Sequence, residues 1–65
     1  MLIEVYWTRR DGVLTALLAR VLEATNNGSW KLDSGHIYDP YELTVKLKGK
    51  VVGRNAEYIR PLPNH

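Results

Sequence analysis

A chain of 65 residues is one domain, and a core of that size yields a net stability of only ~3–5 kcal/mol. The lack of cysteine excludes disulfides and thiolate metal sites, and a hydrophobic content of 45% argues against a disordered chain. A net charge of +2 falls short of the strongly basic profile of a dedicated nucleic-acid binder, but it is unevenly spread: residues 43–60 carry +4 and the rest of the chain −2.

Without disulfides or an evident metal, the staple left to so small a domain is a partner. Self-association is therefore expected as readily as a monomer. The opening run "MLIEVYW" has neither the basic nor the apolar region of a secretory signal. No apolar run approaches the ~18 residues of a membrane span, so a cytoplasmic protein that does not enter membranes is expected.

In chain order, "LIEVYWT" alternates as a strand, with Ile3, Val5 and Trp7 on one side and Leu2, Glu4, Tyr6 and Thr8 on the other. "RRDG" breaks it, and Asp11 suits a helix N-cap. Residues 12–25 have helical spacing: Val13, Leu14, Leu17, Leu18, Val21 and Leu22 cover one half of the wheel, and "NNG" supplies a C-terminal stop. The opposite face, with Thr15, Ala16, Ala19, Arg20 and Glu23, is small and sparsely charged. It reads as a contact face for another surface, or simply as alanine serving as the best helix former.

"SWKL" is a short strand and "DSG" a turn. "HIYDP" runs extended into Pro40. "YELTVKL" points Tyr41, Leu43, Val45 and Leu47 inward, with Tyr41 bordering the core, and points Glu42, Thr44, Lys46 and Lys48 outward. "KGK" is a tight hairpin turn and "VVGR" the returning strand. "NAEYIRPLP" adds a last extended piece at an edge or off the sheet, because Pro61 and Pro63 cannot donate ladder hydrogen bonds. The fold class expected is α+β, with one amphipathic helix on a three- to four-stranded antiparallel sheet in the order β-α-β-β-β. It forms a single domain over residues 1–62 with a frayed end at 63–65. Over eight residues "NAEYIRPL" resembles the run that closes an SH3 domain, but a long helix has no place in that fold and no family is assigned.

Catalytic and metal signatures are weak. Asp33, His36 and Asp39 are spaced three apart, yet they fall in a loop, and a metal site needs three or four convergent ligands. His65 is the terminal residue. Ser34 lies near His36 without a nucleophile-elbow motif around it, and "RDGV" holds too few glycines to cradle a phosphate. Asn27 matches the letters of a glycosylation sequon but has no secretion signal to give it use. The chain is read as a non-enzyme with no cofactor and no metal.

Lys46 and Lys48, joined by Arg54 across the hairpin, form a candidate basic patch with Tyr6 on the same face, a layout resembling a single-strand platform. Glu4 and Glu42 share that face. Lysines on an exposed strand equally serve solubility and block edge-to-edge pairing. The reading is a small non-catalytic binding module, a protein-binding regulator or inhibitor of the compact kind that phages and mobile elements encode. Its candidate anchors are Lys46, Lys48, Arg54, Arg60, Tyr41 and Tyr58, since arginine and tyrosine are enriched among interface hot spots. The alternatives are a nucleic-acid-binding domain using the basic sheet face and a subunit of a homo-oligomer.

Overall fold

The computed structural model describes residues 1–61 and places them in seven strands, with no helix among the described residues. These are β1 (Leu2–Thr8), β2 (Leu14–Ala24), β3 (Trp30–Leu32), β4 (His36–Asp39), β5 (Thr44–Leu47), β6 (Lys50–Arg54) and β7 (Glu57–Ile59). All neighbours pair antiparallel in the order β6-β5-β4-β3-β2-β1-β7, so a ladder of successive hairpins takes in every strand but the last, and β7 pairs back on β1. The sheet curls into a half-barrel with its core on the inner side. The α+β expectation is thereby overturned, and the frayed end expected at 63–65 lies outside the described residues.

The correction centres on residues 12–25, of which Leu14–Ala24 form strand β2 and none is helical. Both ends of that segment are hairpin turns. Gly12, at φ 84°, donates to the Arg9 carbonyl (2.9 Å), and the Asp11 carboxylate accepts from Val13 N–H (3.2 Å) while ion-pairing with Arg9 (2.6 Å). Asp11 thus closes a turn where a helix cap was expected. At the other end Gly28, at φ 89°, donates to the Thr25 carbonyl (3.1 Å). Asp-Gly and Asn-Gly are strong short hairpin signals. Pairing with β1 along Leu2–Thr8 gives β2 long-range partners that outweigh the helix propensity of its alanines and leucines.

The inner face carries Ile3, Val5 and Trp7 of β1, Ala19 of β2, Leu32 of β3, Tyr38 of β4 and Val45 of β5, with Ala56 plugging the gap before β7. The inward set expected on β1 is therefore correct, and so is Val45. The β5–β6 turn forms as expected, with Lys48 at φ 51° and Gly49 at φ 79° between the paired Leu47 and Lys50. β5 itself is shorter than the expected run. Tyr41 lies in the turn that precedes it and is 83% exposed, so it does not border the core. The Asp39 carboxylate holds that turn by accepting from Tyr41 N–H (2.8 Å) and Glu42 N–H (2.9 Å).

The last connection is tied down from inside. Tyr38 Oη donates to the Ala56 carbonyl (2.7 Å), and Ala56 N–H donates to the Leu43 carbonyl (2.9 Å). Trp30 and Tyr38 lie tilted with ring centroids 5.8 Å apart, and Tyr58 meets both edge-on, 5.0 Å from Trp30 and 5.6 Å from Tyr38. This T-shaped geometry suits aromatic quadrupoles. Burial pushes the Tyr38 phenol up to about 12, with smaller contributions from Tyr58, Glu57 and Asp39.

Candidate functional site

The half-barrel leaves a seam where β6 crosses the upper half of β1 without pairing to it. β7 covers β1 only from Glu4 to Tyr6, and β6 pairs on one side alone, with β5. What brings β6 onto β1 is Gly53, whose missing side chain lets the strand lie on the Trp7 ring. A Cβ at that position would sit 2.7 Å from Trp7 Cε2. A cleft of about 260 Å³ opens at the seam, lined by residues 8–10 on one side and 51–54 on the other.

Arg9, Arg10 and Arg54 line this cleft, and no carboxylate among the described residues lines it. Arg9 is partly neutralised by Asp11, whereas Arg10 and Arg54 form no ion pair among the described residues. Val51 and Val52 add apolar wall, being 38% and 43% exposed. Among the described residues the lining contains no aromatic residue and no residue of β5, so the cleft opens along the unpaired edge of β6. Its equipment is cationic side chains, two apolar footholds and a free strand backbone.

The expected basic face is only partly assembled. Arg54 pairs with Thr44 across the hairpin, and Lys46 pairs with Val51, so Arg54 lies diagonal to Lys46 on the outer face. Lys48 sits at the hairpin tip. Lys46 faces a second groove of about 460 Å³, lined also by Asn27, Ile37, Asp39 and Thr44, in which Asp39 offsets its charge. Tyr6 is on the outer face of β1 beside Ala16 and Glu57, away from the lysines. Tyr58 is part of the aromatic cluster, and Arg60 is exposed beyond β7.

The expected helix contact face is divided between the two sides of β2, because a strand alternates where a helix winds. Thr15 and Ala19 turn inward opposite Trp7 and Ile3, Ala16 and Arg20 turn outward opposite Tyr6 and Leu2, and the Glu23 carboxylate ion-pairs with Lys31 at 3.4 Å. Sequence reasoning missed Arg9 and Arg10, which it treated as a strand break. A doubled arginine at the tip of a hairpin is a signal, but its closeness to Arg54 depends on the curl of the sheet.

Asp33, His36 and Asp39 do not converge. Asp33 accepts from Arg20 N–H (3.0 Å), His36 Nδ1 shares a hydrogen bond with Ser34 Oγ (2.9 Å), and Asp39 holds its turn. Among the described residues no group of three or more metal-ligating side chains comes together, and no helix is long and apolar enough to cross a membrane. No protein family, curated protein or solved structure matches this chain, so the likeness of the run from Asn55 to the close of an SH3 domain gains no support.

Proposed function

We propose that this chain is a small non-catalytic protein-binding module, a regulator that acts by occupying a partner's surface. The observation that carries the reading is the seam cleft, where Arg10 and Arg54 form no ion pair among the described residues and stand beside the unpaired edge of β6. A strand edge takes an extended segment by main-chain pairing, and alternate side chains of that segment fill adjacent sites. The guanidinium groups select acidic side chains, and the two valines select apolar ones. The partner is therefore an acidic, extended segment of another protein. A nucleic-acid strand is the weaker fit, because single-strand platforms stack bases on aromatic rings and no aromatic among the described residues lines this cleft.

The test is fluorescence anisotropy with a labelled peptide alternating glutamate and valine, against a lysine-for-glutamate control and a single-stranded oligonucleotide. The acidic peptide binds, and Arg10→Glu combined with Arg54→Glu weakens it tenfold or more, a loss of ~1.4 kcal/mol. Unchanged affinity in the double variant overturns the assignment. Tighter binding of the oligonucleotide, with a steep fall in salt, selects the nucleic-acid reading instead.

A further inference from the structure

We infer that the outward face of β2 is a dimer interface, and that its occupant is a second copy of this chain. The inference does not draw on the seam cleft, which meets this face only at Thr8, the β1 partner of Leu14. Leu14, Leu18 and Leu22 all point outward and are 71%, 60% and 66% exposed, a run of bare leucine that a monomer's surface seldom carries. They are not loop residues: Leu14 and Leu18 are held in register with Thr8 and Glu4 along seven consecutive pairs with β1. At ~3.4 Å per residue the stripe is about 27 Å long. Ala16 continues it between Leu14 and Leu18, Tyr6 flanks it on β1, and Ile59 extends it on β7.

Charge points to a second copy. The charges around the stripe are of both signs: Glu4 stands beside Leu18 on β1, Arg20 lies between Leu18 and Leu22 on β2, and Glu57 ends the row that holds Ala16 and Tyr6. In a sheet-on-sheet dimer with antiparallel β2 strands and Leu18 on the two-fold axis, Leu14 faces Leu22 of the second copy. The Arg20 stem then covers Ala16 of the other copy, where a small side chain leaves room, and its guanidinium reaches toward Tyr6 and Glu57. One patch thus supplies both halves of its own complement, as a two-fold interface requires. The dimer also supplies the staple that a cysteine-free chain of 65 residues lacks.

The experiment is sedimentation equilibrium of the full chain over a wide concentration range, with Leu18→Lys as the variant. Wild type is a dimer that dissociates on dilution, and Leu18→Lys raises its dissociation constant roughly tenfold or more while keeping the wild-type circular dichroism, because Leu18 contributes nothing to the core. The absence of native cysteine allows a second reading that does not rely on the charged variant. A short bismaleimide spanning the ~10 Å between packed sheets joins two copies of Leu18→Cys, and joins Leu14→Cys to Leu22→Cys in preference to either with itself. A wild type that is monomeric at every concentration overturns the inference. So does a dimer that Leu18→Lys leaves intact, or cross-linking that ignores the position of the cysteine.

Discussion

Replacing Gly53 by alanine tests the seam most sharply. The added Cβ lies 2.7 Å from Trp7 Cε2 and 2.8 Å from Cδ2 and Nε1, where non-bonded carbons prefer ~3.5–4.0 Å. These atoms are the buried fused edge of an indole that is 6% exposed, not the free end of a flexible side chain. The ring or the strand must therefore move by most of an ångström. Overpacking of this kind costs ~1–3 kcal/mol. Gly53 does not adopt a left-handed backbone, so alanine meets no φ penalty there and recovers ~0.4–1 kcal/mol from the unfolded state. The net loss is about 1–2 kcal/mol, which lowers the melting temperature of a domain this small by roughly 5–15 °C. Thermal circular dichroism measures it directly. A Trp7→Phe background, with a smaller ring, recovers part of the loss, and the double-mutant cycle shows a coupling of ~1 kcal/mol. If Gly53→Ala is as stable as wild type, or if the two changes simply add, β6 does not rest on Trp7 and the cleft loses one wall.

Three further outcomes follow from particular contacts. Tyr38→Phe removes the donor to the buried Ala56 carbonyl and costs ~1–3 kcal/mol in denaturant unfolding at neutral pH. With the Tyr38 phenol raised from 10 to about 12, its stabilising contribution is fully present below pH 10 and is lost as pH rises through 12, so the stability gap between wild type and Tyr38→Phe closes across that window. Leu17→Asp, on the inner face opposite Val5, destabilises severely, whereas the neighbouring Leu18→Asp, which meets only the Glu4 carboxylate across the strand pair, costs the dilute monomer no more than ~1 kcal/mol; a helix would bury both leucines on one face, and equal losses would restore it. Far-ultraviolet circular dichroism shows a β spectrum, and a strong helical minimum at 222 nm would contradict the assignment of β2.

The first strand and the β5–β6 hairpin are legible in the sequence because each obeys one period. Ile3, Val5 and Trp7 alternate with half-exposed neighbours, and Lys48-Gly49 supplies the left-handed pair a two-residue turn needs. β2 is not legible from its pattern, because it is apolar on both faces. Leu17 and Val21 face inward while Leu14, Leu18 and Leu22 face outward, and together those positions also satisfy a helical stripe. The outward leucines that misdirect the reading are the ones that form the proposed dimer face. The turns would have decided it: Asp11-Gly12 and Asn27-Gly28 bracket the segment as two hairpins. Local spacing alone brings Lys46 and Arg54 near one another, since one hairpin joins them. Arg10 is separated from Arg54 by four other strands, and only the curl of the sheet brings the two to one cleft.

The central functional claim is that an acidic extended segment docks at the seam. Titrating isotope-labelled protein with the glutamate–valine peptide, and following each backbone amide by NMR, tests it most directly. Shifts concentrated in residues 8–10 and 50–54 are the predicted result, with new protection from exchange along β6. Shifts centred on Lys46 and the opposite groove, or no shifts at saturating peptide, would contradict it.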